Sequence, residues 1–157
     1  MSGATPAPAP TETATQEDPL SHFTTMTTQI TDPEALRSAL GDVGYGDVEV
    51  HDHAQPLYGY LGDQRSDRAN VIVRRRHIGR ASNDIGFRRE EDGHYLAVIS
   101  EYDRRVHDDA WLGRVSARHA YNATSATLAE QGFHIADETV EEDGTVRLVL
   151  RRIGAGQ

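Results

Sequence analysis

The chain has 157 residues, 16 basic against 25 acidic for a net charge of −9, and no cysteine. That length suits one globular domain, which buries roughly two-thirds of its unfolded surface and needs no metal or disulfide to fold. The composition excludes thiolate catalysis and cysteine-based zinc sites. The acidic balance weighs against a dedicated nucleic-acid binder, whose affinity comes from neutralised phosphates.

Met1 to Pro19 is rich in Pro, Ala, Thr and acidic residues and has almost nothing to bury, so residues 1–19 read as a disordered, extended tail. A single domain is expected over 20–153, with 154–157 a flexible end. Ser21 to Ile30 is β-branched and alternates, which predicts a strand. Asp32 then offers a helix cap and Pro33 fits the first helical position. Leu36, Ala39, Leu40 and Val43 form that helix's apolar stripe, and Gly44 ends it. Val48 to Ala54 alternates as a strand, Pro56 breaks it, and Leu57 to Leu61 forms a short second strand. Gly62 to Arg68 reads as a loop and Ala69 to Arg76 as the next strand. Asp84 to Arg89 and His94 to Glu101 make a hairpin around the turn Glu90-Glu91-Asp92-Gly93, where Asp92-Gly93 supplies positive φ. A second helix starts near Asp108. It carries one stripe at Trp111, Leu112 and Val115 and a rotated one at Ala117, Tyr121, Thr124 and Leu128, and it ends at Gly132. Phe133 to Val140 and Thr145 to Ile153 are strands around a second Glu-Glu-Asp-Gly turn. The expected fold is α+β: a mostly antiparallel sheet with two helices on one face, a β-α-β-β unit used twice.

Several stretches resemble one family: SHFTT at Ser21, the helix ending LGDVGY, the DIGFRR strand, and AEQGFHIADETVEEDGTVRLVLRR. This is an uncharacterised group of small bacterial and cyanobacterial proteins, also encoded in some algal plastids as a hypothetical chloroplast reading frame. The resemblance runs from Ser21 to Arg152. It is weaker around Arg74 to Arg80 and after Ile99, where Ser100-Glu101-Tyr102-Asp103 replaces a more aromatic continuation. It implies a fold-sized unit and carries over no catalytic residue.

Among candidate sites, His51 and His53 share a strand face and suit a divalent metal, with His22 or Asp63 as a third ligand. Alternating polar residues on a solvated strand are the plainer explanation. The basic residues are all arginine, which GC-rich coding explains more plainly than a choice for bidentate anion contacts. They cluster at Arg74-Arg75-Arg76, Arg80, Arg88-Arg89, Arg104-Arg105 and Arg151-Arg152. With Tyr58, Tyr60, Phe87 and Tyr102 interspersed, such strands could stack bases and hold phosphates. Neighbouring acids make a mixed-charge solvated face the plainer reading. Arg118, His119 and Tyr121 fall within one helical turn, as an anion clamp beside a general base or as the edge of a core. Trp111 is either a core residue or, if exposed, an interface anchor.

No cofactor is implied. No apolar run approaches the ~20 residues that span a membrane, and no signal-peptide pattern opens the chain, so a cytoplasmic location is expected. The leading expectation is a non-catalytic interaction or accessory protein that binds a protein partner through its sheet face or the Trp111 helix. A nucleic-acid-binding module using the arginine strands is the alternative. An enzyme or metal protein centred on His119 or His51/His53 ranks third. The residues leave the partner and the oligomeric state open.

Overall fold

The computed structural model describes residues 22–143 and 145–154. The tail expected over 1–19, the start of the domain at Leu20 and Ser21, the Gly144 position and the last three residues lie outside the described residues.

The elements run β1 (Phe23–Thr27), α1 (Pro33–Asp42), β2 (Glu49–Tyr58), β3 (Gln64–Val73), β4 (Ile85–Arg89), β5 (Tyr95–Ser100), α2 (Asp109–Glu130), β6 (Phe133–Val140) and β7 (Val146–Arg152). Five strands form one sheet in the order β1-β5-β4-β3-β2, and every neighbouring pair is antiparallel. Both helices pack on one face, where Leu36, Ala39 and Leu40 of α1 and Trp111, Leu112 and Val115 of α2 meet Val71, Val73, Ile85, Phe87, Ala97 and Ile99. The α+β expectation with two helices on one face holds. The order β-α-β-β does recur, as β1-α1-β2-β3 and β5-α2-β6-β7. However, β6 and β7 form a separate two-stranded sheet instead of extending the first.

Local chemistry sets the helix starts. The Asp32 carboxylate accepts from the Glu34 and Ala35 amides, with Pro33 at the first helical position. Asp108 accepts from the Trp111 amide in the same way. Gly44, Gly93 and Gly132 take φ of 114°, 91° and 90°, ending the two helices and closing the first Glu-Glu-Asp-Gly turn in a region that L side chains avoid.

The middle of the chain departs from expectation. Pro56 does not break the strand: β2 is continuous from Glu49 to Tyr58, and β3 begins at Gln64 inside the expected loop. Proline is tolerated because β2 is an edge strand, where a missing amide donor breaks no ladder on the solvent side. Between the pairs Val50↔Val71 and Gln55↔Ala69 the register shifts, and β2 bulges. The Asn70 side chain fills in for the lost ladder, donating to the His51 and Asp52 carbonyls and accepting from the Arg89 amide. Past the bulge, the β2–β3 hairpin lies against the second face of the sheet. Leu57 and Ala69 there close a smaller core with Ile72 and Val98, and Phe23 packs alongside. Gly86 permits this close approach, because a Cβ at that position would lie 2.5 Å from the Ala69 Cβ.

The 22-residue helix α2 does two jobs. Its buried residues, Trp111, Leu112, Val115 and His119, all lie in the first half. The second, rotated stripe meets the β6–β7 hairpin instead. The two non-coincident stripes therefore mark two different packing partners, not broad burial of a single helix.

Candidate functional site

Arg74, offered by the sequence as an anion contact, is spent on the fold. Its Nε and Nη2 each lie 2.9 Å from a Glu49 carboxylate oxygen, and its Nη1 donates to Asp84 Oδ2 at 2.8 Å and to the Pro56 carbonyl at 3.1 Å. Asp84 is fully buried and also accepts from the Tyr58 and Arg75 amides. The guanidinium of Arg74 holds the Glu49 carboxyl down at about 2, against an ordinary 4.5. Arg75 donates to the carbonyls of Tyr60, Arg80 and Ser82. These bonds staple the tip of the β2–β3 hairpin to the loop before β4. A cavity of about 370 Å³ opens beside them, lined by Tyr58, Gly62, Arg74, Arg75, Arg76 and Asp84. Only Arg76 of the triplet is exposed. Tyr60 contributes its backbone amide to Asn83, and Tyr58 stands under the Arg74 guanidinium.

The other named arginines and tyrosines are scattered. Arg88 pairs with Glu90, and Tyr102 lies under the Arg105 guanidinium 4.0 Å away. His51 bonds Glu49 at 2.8 Å on the bulge, while His53 is exposed. Among the described residues no three His, Asp or Glu side chains gather in metal-binding geometry.

Trp111 is 4 % exposed, which places it in the core and not on an interface. His119 is likewise buried, and its Nε2 accepts from the Asp32 amide at 3.2 Å, one residue before α1. Burial pushes its pKa below the usual 6.5, against the pull of Asp32. The neutral ring thus joins α2 to the start of α1. Its neighbour Arg118 faces elsewhere, bonding Asp42 at 3.1 Å and lying over the Tyr121 ring. The supposed base and clamp do not converge.

A second buried polar cluster went unread in the sequence. Asp103 Oδ2 accepts from the Asn83 amide, the Asn83 side chain and Ser100 Oγ at 2.9, 3.2 and 2.8 Å. The turn after it carries His107, whose Nε2 is 2.6 Å from the Tyr45 hydroxyl. The ring stands edge-on to Trp111, with centroids 4.8 Å apart. Burial lowers the His107 pKa and raises that of Tyr45. Asn83, Ser100 and Asp103 satisfy one another, as buried polar groups must. They fix the connection from β5 to α2.

One surface is not explained by such internal pairing. Between the second half of α2 and the β6–β7 hairpin runs a groove of about 330 Å³, with Ala117, Ala120 and Tyr121 on the helix side and Val140, Val146 and Leu148 on the hairpin side. Val140 is 64 % exposed and Val146 47 %. The cross-strand pairs Val140↔Val146, Glu138↔Leu148 and Ile135↔Leu150 share this face, and the intervening pairs Thr139↔Arg147, Asp137↔Val149 and His134↔Arg151 put mostly polar groups on the other, Val149 excepted. The signal was present in the sequence, since the apolar alternation of β7 matches the second stripe of α2. Neither signal alone showed that the two would meet and leave a gap.

A two-layer α+β domain with a C-terminal helix–hairpin arm, and with its Asp84 and Asp103 clusters bonded within the chain, is the class these features define. The sequence matches the family model described as a protein of unknown function (DUF1257) over residues 39–149, and the chain belongs to that family. It is 25 % identical over 134 residues to the uncharacterized protein ycf35 of Cyanophora paradoxa, covering 85 % of this chain and 98 % of the relative. The ycf35 proteins of Pyropia yezoensis and Guillardia theta are 24 % and 26 % identical, with the same coverage. No solved structure matches. Among the described residues no helix is long and apolar enough to cross a membrane.

Proposed function

We propose that the protein is a non-catalytic, cytoplasmic interaction module that receives a segment of a protein partner in the groove between α2 and the β6–β7 hairpin. The observation that carries this reading is the exposed apolar face of an isolated two-stranded hairpin. Such a hairpin is marginal in water by itself, and a concave apolar strip beside a helix is a common docking surface. The clustered polar side chains elsewhere support it, because Arg74, Arg75, Asp84 and Asp103 bond within the chain and form no convergent acid, base or nucleophile set.

The test is affinity capture from the native host, with and without nuclease, using the wild-type chain and Val146→Asp. A partner that survives nuclease, binds the wild type and is lost from a folded Val146→Asp protein is the expected result. A partner retained by that variant overturns the groove, and one released by nuclease transfers the function to nucleic acid.

A further inference from the structure

We infer that the segment the groove receives is a short amphipathic stretch of another protein, apolar on one side and carrying arginine or lysine on the other. This rests on the interaction reading above and adds the chemistry of the partner. The floor and walls are apolar at Ala117, Ala120, Val140, Val146 and Leu148. The charges around them are unevenly spent. Arg118 is committed to Asp42, and Arg147 to Glu141. Glu138 lines the groove, and its carboxylate has no ion pair or hydrogen-bond partner among the described residues. The turn carboxylates lie outside the groove lining: Glu141 pairs with Arg147 on the hairpin's opposite face, and Asp143 accepts from the Thr145 amide. The groove is therefore an apolar slot whose unpaired charge among the described lining residues is the Glu138 carboxylate, and a cation on the incoming segment would complement it.

The same inventory disfavours two other occupants. Symmetric pairing with a second copy would offer the Glu138 carboxylate no free cation from the groove lining, since Arg118 is already paired with Asp42. The chain's own N-terminal residues 1–20 carry Glu12, Glu17 and Asp18 and no basic residue, so they have the wrong sign. A volume of about 330 Å³ suits a few side chains of a short segment better than the face of a folded domain.

The test uses the full chain and two fluorescein-labelled synthetic peptides with leucines at helical spacing, one carrying arginine and the other glutamate between them. Fluorescence polarisation should show the arginine peptide binding at least about tenfold more tightly. Glu138→Arg should cancel or reverse that preference. Val146→Asp should abolish binding even though it adds a negative charge, which separates seating in the groove from general attraction to an acidic protein. Circular dichroism confirms that both variants are folded. Binding of the glutamate peptide as tightly as the arginine peptide, with both lost in Val146→Asp, overturns the basic segment and leaves the groove reading standing. Binding of the arginine peptide that Val146→Asp leaves unchanged overturns the groove itself. Failure of both peptides overturns the inference, and self-association broken by Val146→Asp would then identify a second copy as the occupant.

Discussion

The close contact beneath Gly86 gives the sharpest test of the fold. Gly86 sits in β4 opposite Ile72 on β3 and Val98 on β5, under the overlying β2–β3 hairpin. A Cβ there would lie 2.5 Å from the Ala69 Cβ and 3.0 Å from a Leu57 methyl. Carbon atoms pack at about 3.5–4.0 Å, so Gly86→Ala forces the hairpin outward by roughly 1 Å. The hairpin resists, because the Tyr58 and Tyr60 amides are tied to the Asp84 and Asn83 side chains at 2.8 Å. Overpacking of this kind costs about 1–3 kcal/mol. The substitution also restricts the unfolded chain, which offsets about 0.4–1 kcal/mol. The net expectation is a loss of about 1–2 kcal/mol, or a Tm lower by about 4–8 °C for a domain of this size. Urea unfolding followed by Trp111 fluorescence and circular dichroism measures it. Ala69→Gly in the same chain removes the opposing methyl, so the double variant should recover at least about 1 kcal/mol relative to the sum of the singles. Gly86→Ala with wild-type stability, or strictly additive effects, would refute the packing of the hairpin against the sheet.

Arg74→Met should cost about 3–5 kcal/mol in denaturant unfolding, because it leaves the buried Asp84 carboxylate without its counter-charge. Lysine will not rescue it, since an ammonium cannot reproduce the two-pronged contact with Glu49. The depressed Glu49 pKa adds an acid limb: its stabilisation is complete above pH 4.5, fades as pH falls towards about 2, and should vanish from the Tm–pH profile of Arg74→Met. His119 acts nearer neutrality: its folded pKa lies below 6.5, so its contribution is full above that pH and declines as acid protonates the ring and removes the acceptor for the Asp32 amide. His119→Gln retains an acceptor and should flatten that step, read by following the thermal midpoint through the same range. Amide exchange should be faster throughout β6 and β7 than in β4 and β5, and a bound partner should slow it; equal protection in the free protein would contradict an incompletely covered hairpin.

The parts of the fold legible in the sequence are those with local causes. Asp32-Pro33, Asp108, Gly44 and Gly132 mark helix ends through bonds and dihedrals confined to a few residues, and the turn at Asp92-Gly93 does the same for a hairpin. What escaped depends on partners far along the chain. Whether Pro56 breaks a strand depends on whether that strand lies at an edge, which is a property of the whole sheet. The bulge at His51–His53 exists because Asn70 replaces ladder bonds 18 and 19 residues away. Likewise, Arg74 and Arg75 look available in sequence, but their acceptors are Glu49, Asp84 and carbonyls of other segments. Arginine has five donors in a fixed fork and suits stapling of this kind, so an arginine cluster alone does not separate a ligand site from a structural knot.

The division of α2 links the fold to the proposed site. A helix that only capped the sheet could end after Val115 and His119, where burial ends. The remaining turns carry the Tyr121 and Thr124 stripe past the domain and hold a hairpin whose inner face they only partly cover. An apolar face left open costs solubility and gains nothing in the isolated fold. On the opposite face of the same hairpin, Thr139, Arg147 and Arg151 show that polar residues are accommodated in β6 and β7. The asymmetry is one of degree, since Val149 lies exposed on that opposite face and Glu138 on the side that faces α2. Apolar residues are more numerous on the side that α2 only partly covers, which supports the proposed docking of a partner segment there.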